Sequence, residues 1–177
     1  MQPSDQNRFP SLSVILKDGR TVLIRPLRLE DGPALAAFYE QIPAADQLFY
    51  LPHTLDREHA FKNAEKALSP DEVVLVIDDQ AGAIGGYGWS RWQEGARESG
   101  FGICLLASVK GQGLGEKLMA RLAEIARVVG PDIMHLTVQK KNPRAVLLYQ
   151  KMGFVIVREQ LRGGDNEPEY YMERKVR

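Results

Sequence analysis

At 177 residues the chain is long enough for one well-buried core and too short for two ordinary domains. Its 23 Lys and Arg balance 23 Asp and Glu, so no global field selects nucleic acid or a membrane surface as partner. A lone Cys104 excludes an intramolecular disulfide, and His53, His59 and His135 are scattered without zinc-site spacing, so no metal is expected and a reducing cytoplasm is the expected home.

Met1 to Pro10 is polar and lacks a signal-peptide apolar core, and no apolar run is long enough to span a bilayer. Residues 1–10 are therefore expected to be a flexible N-terminal segment ahead of one domain over 11–177. Ser13 to Lys17 and Thr21 to Arg25 are β-rich runs about Asp18-Gly19, a hairpin signal, and Pro26 limits further pairing. Leu29 to Pro33 opens a helix running through Tyr39, with acidic residues at its start where the helix dipole favours them. A second helix is expected over Leu55 to Leu68, with one solvated face.

Glu72 to Asp78 is a continuous apolar run suited to a strand covered on both faces. Short loops then link Ala83 to Trp92 and Gly100 to Ala107, giving successive antiparallel strands. After a glycine-rich turn, Leu114, Leu118, Leu122, Ile125 and Val129 share one face of a helix that ends at Gly130-Pro131. Ile133 to Val138, reached through that helix, is predicted parallel to the strand before it. Asn142 caps a short helix with Pro143 in its first turn and Gly153 at its end, and Val155 to Glu159 and Tyr170 to Val176 close the sheet. The fold class is α/β (α+β), a mixed, mostly antiparallel sheet of about seven strands flanked by helices.

The glycine turn at Gly111, Gly113 and Gly115 is the chemically telling segment. A helix start leaves its first N–H groups without intrahelical partners, and glycines let a ligand reach them closely. A dinucleotide fingerprint counted from Gly111 needs glycine where Glu116 stands. An ATPase-type loop needs Ser or Thr where Leu118 stands. Lys110 to Gly115 instead matches Q/R-x-x-G-x-G/A, with Lys in the first position. Asn142, Ala145, Tyr149 and Gly153-Phe154 form a second segment at a distance that leaves room for one long helix and one strand.

On these two segments the chain resembles the GNAT superfamily of N-acetyltransferases, closely over about 72–160 and loosely on the flanks. The resemblance implies direct transfer of an acetyl group from acetyl-CoA to a primary amine of a small molecule, a protein lysine or a protein N-terminus. It implies that the main chain at Ile103, Cys104 and Leu105 pairs with the pantetheine arm. Gly111, Gln112, Gly113, Leu114, Gly115 and Glu116 would surround the pyrophosphate, with Asn142 touching the arm from the other side. Lys110, Lys117, Lys140 and Lys141 are candidates for phosphate charges, and Glu116 is expected to point outward.

Tyr149 matches the family's general acid, because a phenol is protonated at neutral pH and can supply the departing thiolate. Relatives place a glutamate base where this chain has Thr137 or Ser99, and neither can serve. Glu98, one residue from the second position, is the candidate base; water-relayed deprotonation is its equal. Cys104 is read as an inert strand thiol. The residues around the first two helices are expected to hold acceptor specificity. The unmatched base also leaves open a catalytically weak CoA-binding regulatory or sensor module. Exposed strand edges in such a fold invite a homodimer.

Overall fold

The structure, a computed structural model, describes residues 9–49 and 53–177. The strands are β1 (Leu12–Ile15), β2 (Thr21–Pro26), β3 (Glu72–Asp78), β4 (Ile84–Arg91), β5 (Glu98–Leu105), β6 (Ile133–Gln139), β7 (Val155–Leu161) and β8 (Pro168–Lys175). They form one eight-stranded sheet in the order β1-β2-β3-β4-β5-β6-β8-β7, one strand more than the approximate count from sequence. Every pairing is antiparallel except β5 with β6, as the helical crossover between them requires.

The helices are α1 (Gly32–Glu40), α2 (Ala44–Gln47), α3 (Arg57–Lys66), α4 (Leu114–Val129) and α5 (Pro143–Lys151). Val73 to Ile77 of β3 are at most 2% exposed, consistent with a strand covered on both faces. On one face lies α4, whose Leu118, Leu122 and Ile125 are fully buried; each contributes about 1.5–3 kcal/mol of burial. The helix seats closely because β4 has glycine beneath it: a Cβ at Gly88 would stand 2.9 Å from Leu122 Cδ1. Ala145, Leu148 and Tyr149 of α5, with Met152 just past its end, extend this layer. On the other face, Leu35, Phe38 and Tyr39 of α1 and Ala60 of α3 pack on Val74, Val76 and Tyr87.

Several boundaries differ from the sequence reading for local reasons. The first helix begins with a 3-10 turn over Leu29–Asp31. The Asp31 carboxylate there is bound by Arg25 at 2.6 and 2.9 Å rather than serving the dipole alone. Helix α3 starts at Arg57 because the Asp56 side chain accepts from His59 N, an N-cap. β5 runs from Glu98, not Gly100, and a 3-10 turn over Ala107–Val109 cuts off its expected last residues. The one-turn α2 after Pro43 had no periodic signal.

Of the segment 1–10, residues 1–8 lie outside the described residues. Phe9 is 6% exposed in the α4-side core, and Pro10 O accepts from Arg121 Nη2, so packing begins at residue 9.

Candidate active site

The parallel pairing of β5 with β6 covers only Glu98↔Ile133, Ser99↔Met134 and Gly100↔His135. Beyond that register the two strands diverge, and a cavity of about 570 Å³ fills the split. Phe101, Ile103, Leu136 and Tyr149 line it on the α4/α5 side. Trp89, Gly100, Gly102, His135, Thr137, Gln139 and Glu169 line it on the other, with Phe49 and Arg162 to Asp165 closing that end. The slot therefore passes through the sheet. Trp89 lies flat over β5 because Gly102 has no side chain; a Cβ there would be 2.6 Å from the indole ring.

At the C-terminal end of β5 the glycine turn leads into α4. Gly111 and Gly113 have φ of +78° and +77°, and a Cβ at either would meet nothing within 4 Å, so the main chain faces open space. Lys17 N donates to Gln112 Oε1 at 3.0 Å and Lys17 Nζ to Gly111 O at 3.1 Å, tying the turn to the β1–β2 hairpin. Gly113 is the N-cap of α4, and the buried Leu114 and Gly115 offer only backbone. Glu116 is ion-paired with Lys151 of α5 at 2.6 Å, drawn sideways by that partner. Of the four lysines considered for phosphate, Lys110, Lys140 and Lys141 are paired with Asp46, Glu159 and Glu167.

Tyr149 meets Phe101 edge-on, with ring centroids 6.3 Å apart, and packs beside Phe154. Burial pushes its phenol up to about 12, the nearby Cys104 thiol adding to the effect, so Tyr149 is a proton donor throughout the neutral range. Cys104 stands opposite Tyr87 on the other face, and burial pushes its thiol up to about 11, which leaves it a poor nucleophile. Asn142 Oδ1 accepts from Ala145 N at 3.2 Å, so its carboxamide oxygen caps α5.

Glu98 does not line the cavity. It is half-exposed at the start of β5, where its Oε2 accepts from Tyr171 Oη at 3.0 Å and stands 3.6 Å from His135 Nδ1. Ser99 is fully buried on the opposite face, bonded to Ser90, whereas Thr137 is exposed within the cavity. The sequence reading did not place Trp89, His135, Gln139, Glu169 or Arg162 at the site. A histidine weighed only as a metal ligand, and a Trp three residues after the Gly85-Gly86 pair, were the available signals. Among the described residues no group of three or more His, Cys, Asp or Glu comes together to hold a metal, and no helix is long and apolar enough to cross a membrane.

The arrangement offers a main-chain anion cradle, a narrow slot with a partly buried phenol, and a polar chamber opening on the opposite face. The sequence pattern of the acetyltransferase (GNAT) family matches residues 35–154. The chain is 26% identical over 136 residues to the L-amino acid N-acyltransferase MnaT of Escherichia coli (strain K12), spanning 75% of this chain and 79% of that protein. Among solved structures, a GNAT-family acetyltransferase from Streptococcus pneumoniae has 26% identity and a TM-score of 0.75, covering 88% of this chain and 99% of that one. The acetyl-CoA complex of yncA from Salmonella typhimurium shares the fold, with a TM-score of 0.72 at 21% identity over 88% of this chain and 94% of that one.

Proposed function

This chain belongs to the acetyltransferase (GNAT) family and is an acetyl-CoA-dependent N-acetyltransferase, and we propose that its acceptor is a small primary amine entering through the chamber on the α1/α3 face. The observation that carries this reading is the divergence of β5 from β6 after Gly100 and His135, which opens one slot to both faces of the sheet.

The cosubstrate fits the residues present. A pyrophosphate would lie on Gly111 to Glu116, where Cβ-free backbone meets the N-terminus of α4. The pantetheine arm would run along the main chain of Ile103, Cys104 and Leu105, where β5 has lost its β6 partner, with Asn142 on the far side. This brings the thioester to the narrow end of the split, beside Tyr149. There the phenol donates a proton to the departing thiolate, and holding both reactants in one slot supplies the proximity that direct transfer needs. A protonated Cys104 supports attack by the amine itself, without an acyl-enzyme.

A small acceptor is favoured over a protein lysine because Phe49 and Arg162 to Asp165 wall one end of the chamber. With Arg162 and Glu169 both present, it suits an amine carrying a further charged group, and the relative named for L-amino acids points the same way. The balanced net charge supports neither nucleic acid nor a membrane as partner, and the lone thiol suits a cytoplasmic enzyme; the single catalytic domain proposed over 11–177 extends back to Phe9, which packs in its core. The outer strand β7, with Val155, Ile156, Val157 and Leu161 exposed, supports a homodimer through that edge.

The test is release of CoA thiol from acetyl-CoA with the twenty common L-amino acids and a series of primary alkylamines. Acceptor-dependent release is expected, and Gly113→Asp should weaken acetyl-CoA binding by about 100-fold or more, roughly 2.7 kcal/mol, with unchanged far-UV circular dichroism. Binding of acetyl-CoA with no acceptor-dependent release would end the transferase reading, and unchanged binding by Gly113→Asp would end the assignment of the cradle.

A further inference from the structure

Resting on the transferase reading above, we propose that His135 takes the proton from the acceptor ammonium and that Glu98 is its positioning residue. His135 stands opposite Gly100, the last paired register of β5 and β6, and so at the apex of the split where the reacting atoms meet. A Cβ at Gly100 would lie 3.7 Å from His135 Nε2 and 3.5 Å from the Trp89 ring. Glycine at this position therefore leaves Nε2 uncovered toward the cavity that His135 lines.

The other ring nitrogen faces a carboxylate from behind. Nδ1 is buried without a hydrogen-bond partner among the described residues, and the carboxylate oxygen of Glu98 stands 3.6 Å away. That oxygen already accepts from Tyr171 Oη, and the Tyr171 ring stacks on the imidazole at 5.3 Å and 22°. A carboxylate only accepts, so the tautomer it favours carries its proton on Nδ1 and presents the Nε2 lone pair to the cavity. The charged groups around the ring are Glu98 from β5, Glu173 opposite it on β8, Arg158 of β7 stacked on Tyr171, and Arg91 of β4 stacked on Trp89.

No other side chain at the apex can do this work. Ser99 is buried on the other face and Thr137 has only a hydroxyl, while Glu169 stands opposite Gln139, four residues along β6 and about 13 Å away at ~3.3 Å per residue. The proton balance is complete without a further reactant. His135 takes one proton from the ammonium and passes it to solvent, the freed amine attacks the acetyl carbon, the C–N bond forms and the C–S bond breaks. The second amine proton leaves through solvent as Tyr149 protonates the thiolate and is itself reprotonated.

The experiment compares wild type, His135→Gln and His135→Asn, using acetyl-CoA and whichever amino acid or alkylamine wild type acetylates fastest. At pH 7 both variants should lose about 100- to 1,000-fold in kcat/KM with acetyl-CoA affinity unchanged. The loss should shrink as pH rises toward about 10, where more of the amine is already neutral in solution. Added imidazole should restore part of the activity of His135→Gly. Glu98→Gln should lose less, and the loss should fall on kcat with KM for both substrates near wild type, because the ring is no longer held in the tautomer that presents Nε2 to the cavity. A His135→Gln enzyme with the wild-type rate at pH 7, or a loss equal at every pH, overturns the proposal while the transferase reading stands. A wild type that binds acetyl-CoA and acetylates nothing removes both.

Discussion

The two faces of the sheet are built on different physics. Under α4 and α5 the core is a continuous apolar cluster from Phe9 through Met172, and the parts proposed for function on that side are backbone and one phenol. Under α1 and α3 the apolar cluster is threaded by buried polar groups: Arg25 binds Asp31 and Asp78, and Arg91 binds Glu72, Asn63 and Tyr87, with Asn63 continuing to Tyr39. A cosubstrate common to many acceptors can be held by a generic loop and helix start. A particular acceptor needs side chains held in particular places, and interlocked hydrogen bonds hold them where apolar packing alone would allow sliding.

This contrast predicts unequal penalties. Arg25→Ala leaves Asp31 buried and uncompensated, so urea denaturation should show a loss of about 3–5 kcal/mol. Leu118→Ala on the opposite face should cost about 2–5 kcal/mol through its cavity, and acetyl-CoA binding should fall with it because Leu118 lies in the helix that carries the cradle. If Arg25→Ala costs less than 1 kcal/mol, the polar threads are incidental and the contrast collapses.

Smaller effects sharpen it. Tyr149→Phe should lower kcat on the order of 100-fold while leaving acetyl-CoA affinity and thermal stability near wild type. With the phenol pushed up to about 12 by burial, Tyr149 stays protonated as pH rises past 10, so it should contribute no alkaline fall in kcat until about pH 11. An alkaline limb at pH 9 that vanishes in Tyr149→Phe would contradict the burial argument. The smallest change in stability is Asn142→Ala, which removes the cap on α5 and should cost about 1 kcal/mol, with KM for acetyl-CoA raised more than kcat is lowered.

What the sequence determined by itself follows from locality. The glycine turn, the apolar face of α4, the Asn142 cap and the continuous apolar run of β3 each lie within a few residues, where turn chemistry and periodicity speak directly. They sufficed for the family and its cosubstrate. The acceptor side required the tertiary structure, because its members come from distant segments that only strand register unites. Gly100 faces His135 across the single parallel pairing, Trp89 covers Gly102, and Gln139 pairs with Glu169. Glu98, legible as a nearby carboxylate, shares the His135 face of β5 but sits at the first residue of the strand, short of the cavity, where it meets Tyr171 and His135. Sequence spacing identifies the glycine turn proposed for a phosphate, whereas the pairing of β5 with β6, and the register at which it stops, decides which side chains line the split.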